Sequence, residues 1–140
     1  MGPLLFSADG VPRGQGRPRA TARNGFATVY KDSASRKYEK AVAQLAKVAM
    51  GGRDPFEGPV SLSVRFRLAV PKSTPKWLRT KYLAGEEAYL GAFDTSNMVK
   101  SIEDAMNGIV FVDDRQIVRL FATKVADARP GFDVRVEPLG

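Results

Sequence analysis

Val60, Leu62, Val64, Phe66 and Leu68 alternate without a break with Ser61, Ser63, Arg65 and Arg67. A period of two places the apolar side chains on one face of a strand. Val60 to Leu68 is therefore predicted to be a half-buried strand with a polar, partly cationic outer face. Phe132, Val134 and Val136 alternate in the same way with Asp133, Arg135 and Glu137. Leu4 to Ala8, Phe26 to Tyr30 after the Asn24-Gly25 turn signal, Ile109 to Val112, and Gln116 to Val125 complete the predicted strands.

The period changes in two places. Tyr38, Val42, Leu45 and Ala49 recur at i, i+4, i+7 and i+11, the spacing of an amphipathic helix, with N-caps available from Asp32 to Ser35 and a stop at Gly51-Gly52. A second helix is expected to begin near Thr95 or Ser96 and end at Asn107-Gly108. Met98, Ile102, Ala105 and Met106 form its apolar stripe, and Asn97, Lys100, Asp104 and Asn107 form a polar one. Thr74-Pro75 reads as an N-cap followed by proline at the first position of a short helix through Trp77 and Leu78. The Gly- and Pro-rich stretch from Val11 to Arg19 reads as loop, as does Glu86 to Ala92. Strands interleaved with helices predict a mixed α+β (α/β) fold, a mixed β-sheet flanked by helices.

At 140 residues the chain, 1–140, is expected to be a single domain, and its 44% hydrophobic and 26% charged content is that of a globular protein. The net charge is +7, which suggests a polyanionic partner. The chain has no Cys and no His. That excludes disulfides, zinc sites of the Cys/His kind, and every catalytic scheme that needs an imidazole or a thiol. Any chemistry falls to carboxylates, Lys, Arg, hydroxyls and a hard, oxygen-bound metal such as Mg²⁺ or Mn²⁺. The opening residues lack a basic segment followed by a long apolar run, and no apolar stretch approaches the roughly 20 residues of a membrane helix. A cytoplasmic protein with no membrane partner is the expectation.

Two segments carry candidate chemistry. In the first, Asp94 precedes a helix start, Lys100 and Asp104 share a helix face, and Asp113-Asp114 ends the following strand. A helix with an antiparallel return strand would bring Asp94 close to Asp114. Converging carboxylates with one Lys suit metal-assisted phosphoryl chemistry. Each feature also has an ordinary structural explanation: an N-cap, a turn, and an i, i+4 ion pair. In the second segment, Arg13, Arg17, Arg19 and Arg23 lie between Asp9 and Asp32 with no acid among them. They fit either phosphate contacts or a solvated basic loop.

A resemblance bears on the choice. Asp94-Thr95-Ser96-Asn97-Met98-Val99-Lys100, then Asp104-Ala105-Met106-Asn107-Gly108, then Asp113-Asp114-Arg115-Gln116-Ile117, resembles the pattern D-x-D-N-x-x-K-x-x-x-D-x-L-N-G…D-D-x-Q-I of the RusA family of Holliday junction resolvases. Gly16-Arg17-Pro18-Arg19, Gly25, Tyr30 and Tyr38 resemble the family's start. The resemblance implies Mg²⁺-dependent cleavage of four-way DNA junctions by a homodimer, often phage-encoded, with no small-molecule cofactor. It implies Asp94, Asp113 and Asp114 as catalytic and metal-binding carboxylates, Lys100 as the catalytic and DNA-contacting lysine, and the arginines as further DNA contacts. In this pattern the second aspartate of D-x-D-N is Ser96. Three readings follow: a natural variant in which Asp104 or Glu103 supplies the missing oxygen, an engineered inactivation, or a homologue that binds junctions without cutting them.

Overall fold

The computed structural model describes residues 2–14, 19–23, 26–30 and 33–140, with side chains left undescribed for 19–30. Its strands are β1 (Leu4–Asp9), β2 (Arg19–Arg23), β3 (Phe26–Tyr30), β4 (Val60–Leu68), β5 (Ile117–Ala126) and β6 (Gly131–Pro138). Its helices are α1 (Ser33–Met50), α2 (Lys76–Ala84) and α3 (Thr95–Met106), and a 3₁₀ turn spans Asp114–Gln116. The main sheet has the order β1-β6-β4-β5; β4 and β5 run parallel and the other pairs antiparallel. The expected mixed sheet with flanking helices is the observed architecture.

The alternation in β4 acts as predicted. Val60, Leu62, Val64, Phe66 and Leu68 are buried, together with Phe132, Val134 and Val136 of β6 and Leu4 of β1. All of them face α1 and α3. The other sheet face, with Ser61, Ser63, Arg65 and Arg135, carries no helix of that cluster. From α3, the predicted stripe of Met98, Ile102, Ala105 and Met106 is buried against this core. In α1 the buried stripe is Val42, Ala46 and Met50, while Leu45 is partly exposed. The apolar positions allowed either setting of the helix, and packing chose the one that brings small Ala46 close to its neighbours. Among the described residues no helix is long and apolar enough to cross a membrane.

Four local expectations are corrected. Ile109 to Val112 is not a strand. Val110 and Phe111 are both fully buried although adjacent, which alternating strand geometry forbids when only one face meets the core. The chain turns instead. The N–H of Val110 donates to Met106 O at 3.0 Å, and that of Gly108 (φ 79°) to Phe111 O at 2.8 Å. Arg19, expected as the last residue of the Val11–Arg19 loop, instead opens the strand β2, paired antiparallel with β3 from Arg19↔Tyr30 to Arg23↔Phe26. Asn24, Gly25 and Asp32, where a turn and a cap were expected, lie outside the described residues, as does Arg17. Pro75 is itself the N-cap of α2, extended at φ −54° and ψ 142°, so Thr74 does not cap the helix. Lastly, α2 runs on to Ala84, beyond the expected end near Leu78.

The turn at Phe111 yields a stability prediction. Phe111→Ala removes a fully buried ring and is expected to cost about 3–5 kcal/mol. Val112→Ala, at an exposed side chain, is expected to change stability by less than about 0.5 kcal/mol. Urea denaturation of these variants and of Val110→Ala checks this: the turn requires a loss of more than about 1 kcal/mol at both Val110 and Phe111, and a negligible loss at Val110, as one-sided strand alternation would give, would contradict it.

Candidate active site

The helix α3 carries the centre of the site. Its core stripe faces the sheet, so Lys100, on the opposite side of the helix, points away from the core. Lys100 Nζ lies 3.3 Å from Asp104 Oδ1 and 3.4 Å from Asp114 Oδ2. Asn107 Nδ2 donates to the same Asp114 oxygen at 3.5 Å, the long limit for such a bond. Ion pairs this exposed contribute less than about 1 kcal/mol to stability. The fold has little need of this cluster.

What the fold does invest in is the placement of Asp113 and Asp114. Asp113 opens the 3₁₀ turn as its cap. Its Oδ1 accepts from Arg115 N at 3.0 Å, and its own N–H donates to Gln116 Oε1 at 3.0 Å, a capping box. The amide nitrogen of Gln116 reaches the other way, donating to Phe56 O at 2.7 Å and Gly58 O at 2.9 Å. One side chain thus ties the acidic turn to the segment leading into β4. Gln116 stood in the motif with no role; its capping position three residues after Asp113 was the available signal.

Asp94 is the N-cap of α3. Its carboxylate accepts from Ser96 N at 2.9 Å, and Lys124 Nζ anchors the preceding carbonyl, Phe93 O, at 3.0 Å. Asp94 and Asp114 occupy different stretches of the helix. The first caps its start, the second meets Lys100 and Asn107 in its later turns, and the anticipated contact between them is not one the structure records. The return-strand argument failed with the strand itself: residues 109–112 turn, so Asp114 is delivered to the side of α3 rather than to its N-terminus.

Ser96, Lys100 and Glu103 line a cleft of about 270 Å³ between α3 and β5, closed by Val99, Leu120 and Ala122. Burial pushes the Glu103 carboxyl above its ordinary value; Lys100 pulls it back, while Asp114 and Asp104 push it up again. For Lys100, partial burial works against the charge, but Asp104 and Asp114 outweigh it and hold the ammonium above its ordinary value. Asp113 is held below the usual carboxylate range, first by the Arg115 backbone amide and then by a hydrogen bond with Asp114.

Of the predicted DNA contacts, Arg13 is described, and its segment reaches the site. The backbone at Arg13 opposes the burial that pushes the Tyr38 phenol of α1 up to about 12. Next to it, Gly14 sits so close to α3 that a Cβ there would lie 3.2 Å from Asn97 Cβ. The start of the arginine-rich segment is thus packed on α3. Arg19 and Arg23 occupy the two ends of β2.

The donor set is all oxygen, which suits a hard cation. Among the described residues no three carboxylates converge on one point as a closed metal cage. Mg²⁺ does not require one: it keeps several waters and takes one or two carboxylates plus substrate phosphates. Asp113 and Asp114 are adjacent carboxylates on one turn, a like-charged pair of the kind such a cation neutralises.

Glu103 gives a pH-dependent prediction. A raised folded-state pKa means that folding disfavours the ionised form; the penalty exists above the unfolded pKa and vanishes below it. Glu103→Gln is therefore expected to raise the Tm at pH 7, with the gain shrinking to nothing below the ordinary carboxylate range. Thermal melts across pH check it, and a gain that persists at low pH would assign the effect to something other than the charge.

Comparison with known proteins bears on the whole chain. Residues 9–137 match the model of the family described as endodeoxyribonuclease RusA. The chain is also 32% identical over 139 residues to an uncharacterized protein, YqaN, of Bacillus subtilis (strain 168), covering 95% of this chain and 94% of that protein. The matched span contains the Lys100 cluster, the capped acidic turn and the arginines from Arg13 to Arg23, and the chain belongs to the RusA endodeoxyribonuclease family.

Proposed function

We propose that this chain is a structure-selective endonuclease that hydrolyses a phosphodiester near the crossover of a four-way DNA junction, with Mg²⁺ as cofactor. The observation that carries the reading is the Lys100 ammonium, exposed on the outer side of α3 and braced by Asp104 and Asp114. With its pKa raised, Lys100 keeps its proton and works as a fixed positive charge rather than as a base. It binds the phosphate and stabilises the negative charge that grows there in the transition state.

Asp113 and Asp114, with Asp94 approaching from the helix start, would hold the cation. When bound, it supplies charge neutralisation and a more acidic water. The vacancy at Ser96 is best filled by Glu103. Glu103 lines the same cleft as Ser96, whereas Asp104 is not among the residues that line it. Arg13, Arg17, Arg19 and Arg23 contact phosphates beside the site, supported by the packing of Gly14 on Asn97.

Single-turnover cleavage of a synthetic four-way junction tests the assignment. Asp94→Asn, Asp114→Asn and Lys100→Ala are each expected to lower the rate at least a hundredfold, with the two Asn variants still binding the junction. Ser96→Asp is expected to raise the Mg²⁺-dependent rate, and Mn²⁺ to serve the unsubstituted chain better than Mg²⁺. Cleavage unchanged in Asp114→Asn would refute the site. A chain that binds junctions tightly yet cuts them with neither metal, with or without Ser96→Asp, would favour a junction-binding protein.

The same reading calls for a homodimer, because a junction with two-fold symmetry presents two strands to cut. The edge strand β5, with Val118, Leu120 and Phe121 exposed, offers apolar surface for a second copy. Sedimentation equilibrium is expected to give twice the chain mass at micromolar concentration; a monomer with and without DNA would refute the dimer.

A further inference from the structure

We propose that the outer face of α1 is a track for the phosphate backbone of one duplex arm of the bound DNA, a surface distinct from the arginine-rich segment; this rests on the branched-DNA reading above. Arg36, Lys40 and Lys47 project from α1 within about 40° of one another around the helix axis, with Lys37 and Gln44 beside them, and all are exposed. No hydrogen bond or ion pair engages Arg36, Lys37, Lys40 or Lys47 among the described residues. The acid of the helix, Glu39, lies off this face, toward the side of buried Ser35, Val42 and Ala46. A solvated helix face ordinarily interleaves both signs, which contributes i, i+4 pairs and lowers self-repulsion. This one places like charges at i and i+4 (Arg36, Lys40), at a small cost to the isolated helix.

Two further facts point to nucleic acid. The helices α1 and α3 pack side by side on the same sheet face, because their buried residues belong to one core cluster. The stripe and Lys100 therefore both belong to the helical layer that covers this sheet face. The Arg13-Gly14 segment lies by both helices, with the Arg13 backbone near the Tyr38 phenol of α1 and Gly14 against Asn97 of α3. From Arg36 to Lys47 the stripe runs roughly 17 Å, the axial rise of about five nucleotides of one strand. An arm leaving a crossover at Lys100 would reach this stripe on the neighbouring helix.

The test is junction affinity as a function of salt, measured without divalent cation. Arg36→Ala, Lys40→Ala and Lys47→Ala combined remove three exposed charges and no buried contact, so the fold is expected to persist, checked by thermal melting. The combined variant is expected to bind about tenfold more weakly and to flatten the log–log salt slope by about 2–3, at roughly 0.9 per phosphate lost. A control, Lys72→Ala, Lys76→Ala and Lys81→Ala combined, removes the same net charge around α2 and is expected to leave the slope unchanged. Equal losses in both variants would reduce the effect to net charge and overturn the track. An unchanged slope in the α1 variant, with junction preference intact, overturns the track alone. A chain that binds no DNA overturns both this and the branched-DNA reading. Binding to phosphatidylserine vesicles that the α1 variant loses, with DNA binding intact, would assign the stripe to a membrane surface and overturn it.

Discussion

Met98, Ile102, Ala105 and Met106 are driven out of water onto the buried side of the sheet, and the helix that carries them cannot turn about its axis without exposing them. Burial of a large apolar side chain is worth about 1.5–3 kcal/mol, so rotation would cost several such terms at once. That constraint sets the azimuth of α3. It forces Lys100 and Asp104 outward, places Ser96 and Glu103 over β5, and turns Asn97 toward the Arg13-Gly14 segment. The polar stripe need not stabilise anything to be accurately placed; the apolar stripe behind it does the positioning.

The second constraint acts on the other half of the site. Asp113 and Asp114 lie on a turn, and turns are where placement is easily lost. Here Gln116 binds the turn from inside, through Asp113, and from outside, through the carbonyls of Phe56 and Gly58. Phe111, buried just upstream, fixes the chain before it emerges. The acidic pair is thereby presented on a braced support.

The charge distribution follows the same division. Residues 94–114 hold five carboxylates and one lysine, a local charge of −4, which leaves +11 on the rest of the chain. A protein that is basic overall and acidic at one spot is suited to drawing in a polyanion broadly while reserving one place for a cation. The substrate of an endodeoxyribonuclease, the family matched over residues 9–137, is such a polyanion.

Local periodicity was enough to read much of this from the amino acids. The alternation of β4 and β6 and the double stripe of α3 are short-range patterns, and each has one arrangement that buries its apolar set. The capping positions of Asp94 and Asp113 were legible too, the first before a helix start and the second in a turn. The rest depended on contacts between distant residues. Ile109 to Val112 has strand-forming side chains, but Val110 and Phe111 both found space in the core, and two adjacent buried residues require a turn. That turn decided which part of α3 Asp114 would meet. Leu45 fits a helical stripe as well as Ala46 does, and only the neighbours of α1 distinguish them. Gln116 caps its own turn by a local rule, but its bonds to Phe56 and Gly58 span about 60 residues of chain, a distance over which no sequence period carries information.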